Sequence, residues 1–156
     1  MYNPDAVGAL PMRELHVTPV DTENERLAFL TFPWKVYRRD RYWVPPLLSE
    51  RKAFTDPKQN PFYQHGRVQL FLARRGDEIV GTIAAFTNDL YNQFHESNVG
   101  WFGFFEVLED PEAARALLDT MRCITSASKA ATSNINAATI TCGMYVNTTL
   151  RKNSVT

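Results

Sequence analysis

The sequence predicts an α/β fold of the α+β kind, a mostly antiparallel sheet flanked by helices, and three observations carry that expectation. Two apolar, β-rich runs, Val68 to Ala73 and Ile79 to Phe86, are separated by the turn sequence Arg75-Gly76-Asp77-Glu78, the strongest hairpin signal in the chain. A third run dominated by aromatics and valine, Val99 to Leu108, reads as a further strand of the same sheet. Helical signals stand on both sides of these strands. Thr22-x-x-Glu25 precedes them with capping-box spacing, and Asp110-Pro111 follows, with Ala114, Leu117, Leu118 and Met121 making an i, i+3, i+4, i+7 stripe.

In chain order, residues 1–13, with Pro4, Gly8 and Pro11, read as a flexible arm. Leu15 and Val17 alternate with polar neighbours, which predicts a short strand ending near Pro19. From Thr22 a helix carries Leu27, Leu30, Trp34 and Tyr37, but Pro33 lacks an amide proton, so the expectation is a break near Phe32 and two short helices. Prolines at 45, 46, 57 and 61 then push their predecessors out of helical geometry, leaving Leu47 to Phe54 as the helical part of that stretch. Residues 87–98 read as a polar connection between the hairpin and the Val99 strand.

Composition bounds the function. The 156 residues, 44% hydrophobic and 12% aromatic, suit one domain with one core, and exclude wholesale disorder. Seventeen basic groups against seventeen acidic ones leave no overall field to recruit nucleic acid or a membrane, so neither is expected as a partner and such binding needs a local patch. The charge is unevenly spread. Residues 1–122 hold all 17 acids and 14 of the bases, whereas residues 123–156 hold Lys129, Arg151 and Lys152 and no acid. That tail, rich in Ser, Thr and Asn, offers one alternating strand around Ala138 to Asn147. Its uncharged stretch from Ala130 to Leu150 has nine Ser, Thr or Asn among 21 residues and is too polar for a membrane span. The first fifteen residues show no secretory pattern, and Cys123 and Cys142 make no disulfide framework, so a reducing cytoplasm is expected.

Four stretches carry a family resemblance: Phe32-Pro33-Trp34-Lys35-Val36-Tyr37, Trp43-Val44-Pro45-Pro46-Leu47-Leu48, Asp56-Pro57-Lys58-x-Asn60-Pro61-Phe62, and Gly100-Trp101-Phe102-Gly103-Phe104-Phe105-Glu106. With the element order, they resemble the N-terminal half of larger bacterial proteins similar to the GNAT superfamily of acetyltransferases, over residues 14–122. The resemblance implies a split sheet binding acetyl-coenzyme A, with the donor paired to the backbone of the Val99 strand at Phe104, Phe105, Glu106 and Val107. It also implies transfer of an acetyl group to an amine, small-molecule or peptide, with Glu106 as the base. Residues 123–156 do not match the family's later half, and the expectation is a truncated or frameshifted member.

One segment departs from the pattern. Where the superfamily places a glycine-rich diphosphate loop at a helix N-terminus, this chain reads Val107-Leu108-Glu109-Asp110-Pro111-Glu112-Ala113. It has no glycine, a proline without an amide donor, and three carboxylates repelling phosphate, while Asp110 is placed to cap the helix itself. The second expectation, of another class, is therefore a catalytically silent module that keeps the fold for binding or self-association through exposed sheet edges.

Other candidates weigh less. Lys35, Arg38, Arg39 and Arg41 interleave with Tyr37, Tyr42 and Trp43 as a single-stranded nucleic-acid site would, but the same pattern describes a solvated helix end with arginine stems over rings. His16, His65 and His95 lack metal-ligand spacing, and neither cysteine has a histidine nearby, so no metal is expected.

Overall fold

The computed structural model describes residues 13–127, with side chains to residue 122. The arm up to residue 12 and the Ala138 to Asn147 strand lie outside the described residues, as does Cys142. Four strands form one sheet in the order β1-β2-β3-β4, every pair antiparallel: β1 (Leu15–Pro19), β2 (Gly66–Arg75), β3 (Glu78–Asn88) and β4 (Gly100–Val107). The β2–β3 hairpin turns at Gly76, whose φ of +58° suits a residue without a Cβ. β2 opens at Gly66, where an added Cβ would lie 2.4 Å from the Phe62 ring and 2.9 Å from the Thr87 carbonyl.

α1 (Glu23–Val36) starts as its capping box dictates: Thr22 Oγ1 accepts from the Glu25 amide at 3.2 Å and Glu25 Oε2 accepts from the Thr22 amide at 3.1 Å. The expected break at Pro33 does not occur. One helix runs through it, because proline removes a single donor while Phe29, Leu30 and Phe32 are buried and the Tyr37 amide still donates to the Pro33 carbonyl at 2.9 Å. α2 (Leu48–Phe54) follows, then a 3-10 turn at Pro61–Gln64. The connection after β3 holds a helix that polarity had hidden, α3 (Asp89–Phe94), capped by the Asn88 side chain. α4 (Pro111–Ala127) closes the described chain. Among the described residues no helix is long and apolar enough to cross a membrane.

The sheet separates two layers. On one face α4 buries Ala113, Leu117 and Met121 against Phe71, Ala73, Ile83, Ala85 and Phe102. On the other, Phe29 and Leu30 of α1 meet Leu70, Leu72 and Ala84. Odd and even positions of β2 thus serve opposite cores, as strand pleating requires.

β4 breaks that alternation. Ala84 pairs with Gly103 but Thr82 pairs with Glu106, so β4 spends one residue more than β3 over the same span. The extra residue sits at Phe104, whose φ of +50° is left-handed and strained for a bulky side chain. The buried Thr82 hydroxyl donates to the Phe104 carbonyl at 2.9 Å and pins the bulge. Its effect is a change of parity. Phe102, Phe105 and Val107 pack with the α4 layer, whereas Phe104 packs with the α1 layer. Without the bulge Glu106 would share a face with Phe102 and enter the α4 core.

Candidate functional site

The bulge delivers Glu106 to the C-terminal end of α1. There the Tyr37 hydroxyl donates to Glu106 Oε2 at 2.5 Å, joining residues 69 apart in sequence. Glu106 is half-buried, and burial pushes its carboxyl above the usual carboxylate range, while the Tyr37 bond and the positive charge of Arg51 pull it down. Burial, and then the bond to Glu106, push the Tyr37 phenol up, so it keeps its proton and acts as donor.

An aromatic wall surrounds the pair. The Tyr37 ring stacks on Trp43 at 5.3 Å, and Trp43 meets Trp34 edge-on at 5.5 Å. Phe104, turned toward α1 by the bulge, lies 5.8 Å from Phe29 and 5.9 Å from Phe54, with the Arg51 guanidinium 5.1 Å from its centroid. A carboxylate with a raised pKa, a phenol holding it and a cation over the adjoining ring can accept a proton in a largely apolar setting.

At the far side of β4 the N-terminus of α4 is closed. Asp110 Oδ1 accepts from the Ala113 amide at 3.0 Å, and Arg75 grips the same carboxylate through Nε at 2.6 Å and Nη2 at 3.0 Å. Arg75 Nη2 also reaches Glu112 at 2.5 Å. Arg75 holds the Asp110 carboxyl down at about 2, helped by the amides of Ala113 and Glu112. The cleft of about 320 Å³ beside it is lined by Val107, Leu108, Glu109, Asp110, Pro111 and Ala114, with no cation among them. Arg75 neutralises part of the acidity read from the sequence, but the first helix amides are committed to Asp110 and, among the described residues, no cation lines the cleft. These residues do not fit a diphosphate.

Of the four residues singled out on β4, Phe104 and Glu106 turn their side chains to the α1 side, and Phe105 and Val107 turn theirs to the α4 core. Tyr37, Trp43 and Arg51 join the site without having been assigned to it from the sequence. Tyr37 and Trp43 carried a signal as members of the basic-aromatic cluster; Arg51 carried none. Of that cluster, Lys35 pairs with Glu78 at 2.7 Å, and Tyr37 and Trp43 are stacked on each other rather than presented to solvent. His16 is exposed on β1. Among the described residues no group of three or more His, Cys, Asp or Glu is gathered as a metal ion requires.

Comparison with solved structures defines the class of fold. A tandem GNAT protein from the clavulanic acid biosynthesis pathway, solved without AcCoA, superposes over 74% of this chain and 34% of its own, with a TM-score of 0.55 at 15% identity. An acetyltransferase from Streptococcus agalactiae gives a TM-score of 0.50 at 15% identity over 74% of this chain and 68% of its own. The fold is GNAT-like, an acyltransferase-like mixed α/β scaffold. In sequence, the chain is 39% identical over 105 residues to a bacterial ceramide synthase of Caulobacter vibrioides, covering 67% of this chain and 27% of that protein. It is 34% identical over 95 residues to Protein YghO of Escherichia coli, covering 61% of this chain and 24% of that protein. The chain thus spans about a quarter of the length of the curated relatives it matches. No family model matches it.

Proposed function

We propose that this chain contributes the amine-activating half of an N-acyltransferase site that joins an acyl group from a thioester to the amine of a lipid-like acceptor. The observation that carries the reading is Glu106 itself, set by a strained bulge at the edge of an apolar wall and held by Tyr37. In such a reaction the amine nitrogen forms a C–N bond to the acyl carbon and the C–S bond breaks. Glu106 takes the proton the amine sheds and returns it to water, and the departing thiolate takes up a proton from water. Tyr37 orients the carboxylate, and the rings of Phe104 and Trp43 limit its hydration. The relative named a ceramide synthase makes a product that is an amide of a long-chain amino alcohol, which supports a long-chain acceptor and a fatty acyl group in preference to acetyl.

The closed α4 N-terminus favours a second reading, a GNAT-like module that binds or self-associates without donor chemistry. One experiment separates the two. The full chain is incubated with palmitoyl- or acetyl-coenzyme A and either a sphingoid base or a simple primary amine, with amide formation followed by mass spectrometry and donor binding by thermal shift. Acylation that falls about 10²–10⁴-fold in Glu106→Gln supports the transferase. No amide and no shift of the melting midpoint at millimolar thioester leaves the silent module.

A further inference from the structure

Residues 38–47, between α1 and α2, form a ten-residue projection of unusual surface chemistry. Eight of the ten side chains are exposed, and only Trp43 and Pro46 are partly covered. The backbone is folded into two successive turns, Asp40 amide to Tyr37 carbonyl at 2.9 Å and Trp43 amide to Asp40 carbonyl at 3.3 Å, and the Trp43 ring anchors it against Tyr37 and Trp34. What it presents is three arginines, Arg38, Arg39 and Arg41, followed by Tyr42, Val44 and Leu47 at 65%, 81% and 63% exposure. Against them stands one acid, Asp40, whose carboxylate is occupied by the Tyr42 amide at 2.9 Å. The segment is net positive in a chain whose total charge is zero.

We propose that this projection docks the protein on the surface of an anionic lipid bilayer. The arginines meet headgroup phosphates, and Tyr42, Val44 and Leu47 enter the boundary between headgroups and acyl chains. Each chemical component has a reason to be there. Guanidinium groups pair with phosphate, an exposed tyrosine places a polar tip and an apolar ring at the interface, and aliphatic side chains in water gain by entering hydrocarbon. Pro45-Pro46 stiffens the apolar end, which lowers the entropy lost on docking. Nucleic acid is the poorer partner, because the Tyr37 and Trp43 rings face each other and exposed valine and leucine offer bases nothing. The sequence-based expectation of no membrane partner rested on net charge; a surface site needs only this local patch. The proposal is independent of acyl transfer, since docking is measured with no donor or acceptor present.

The test is co-sedimentation of the full chain with vesicles of phosphatidylcholine alone and of phosphatidylcholine mixed with phosphatidylglycerol, across a salt series. Binding is expected only to the anionic vesicles and falls with salt. The triple variant Arg38→Gln/Arg39→Gln/Arg41→Gln is expected to bind roughly a hundredfold more weakly, at about 1 kcal/mol per basic side chain and about 1.4 kcal/mol per tenfold. Val44→Ser/Leu47→Ser is expected to weaken binding at high salt as well as low, because the apolar contribution is not screened. Both sets are exposed, and circular dichroism checks that the fold survives. Absence of binding to anionic vesicles at low salt overturns the proposal. So does undiminished binding by the arginine variant, or arginine-dependent retention of a single-stranded oligonucleotide without vesicle binding.

Discussion

Removing the Asp110 carboxylate separates the two duties it performs. In the folded protein its pKa falls from 3.8 to about 2, with Arg75 as the largest cause and the helix amides adding to it. A carboxyl depressed on folding contributes stability above its unfolded pKa, and that contribution is lost as pH drops through the folded value. The displacement corresponds to about 2 kcal/mol at 1.36 kcal/mol per pH unit, reduced to about 1–2 kcal/mol because solvent reaches the pair. Asp110→Asn keeps a cap for the Ala113 amide and loses the charge, so it should cost about 1–2 kcal/mol at pH 7. Asp110→Ala loses the cap as well and should cost about 1 kcal/mol more. Urea unfolding of the three proteins between pH 7 and pH 2 measures both. The Asn variant should converge on the wild type between pH 3.8 and about 2, while the Ala variant keeps a residual deficit. A pH-independent gap for Asn, or equal costs for Asn and Ala, would refute the division of labour between ion pair and cap.

Glycine at 104 should be better tolerated than alanine, inverting the usual order within a strand: Phe104→Gly loses the ring contacts but relieves a left-handed φ worth about 1 kcal/mol, which Phe104→Ala retains. Denaturation midpoints of the two variants give the sign directly. Gly66→Ala drives a methyl into the Phe62 ring and the Thr87 carbonyl, and should destabilise by about 1–3 kcal/mol in the same assay. Glu106→Gln should be stabilising at high pH and neutral at low pH. The folded pKa of Glu106 lies above its ordinary 4.5, so wild-type stability is fully present below that value and is lost as pH rises through the folded one. A variant less stable than wild type at pH 8 would mean that Tyr37 compensates the burial of Glu106 completely.

Local signals were legible where local chemistry decides. Thr22 with Glu25, Gly76 in the hairpin turn and Asp110-Pro111 at the start of α4 each depend on neighbours within four residues, and each element begins or turns there. The single helix through Pro33 was not legible, because tertiary burial of Phe29, Leu30 and Phe32 outweighs one lost hydrogen bond. α3 was hidden in a polar stretch. The candidate site follows the same division. Glu106 was singled out because the resemblance pointed to the Val99 strand, but its partners depend on a parity change that no alternation pattern reveals: six consecutive residues from Trp101 to Glu106 include four aromatics, and aromatics suit either face. Arg75 at the mouth of α4 was equally invisible, reaching Asp110 across 35 residues of chain.

The aromatic wall has an optical consequence. The chain contains three tryptophans, and two of them, Trp34 and Trp43, form an orthogonal indole pair whose second member lies face to face with the phenol bonded to Glu106. The third, Trp101, lies near the opposite end of β4, packed on Phe86 and Tyr91. Ionisation at the carboxylate, or an occupant settling beside it, should therefore alter the emission and near-ultraviolet dichroism of one indole pair while Trp101 serves as a steady internal reference. The unlabelled protein carries its own spectroscopic probe at the place where its chemistry is in question.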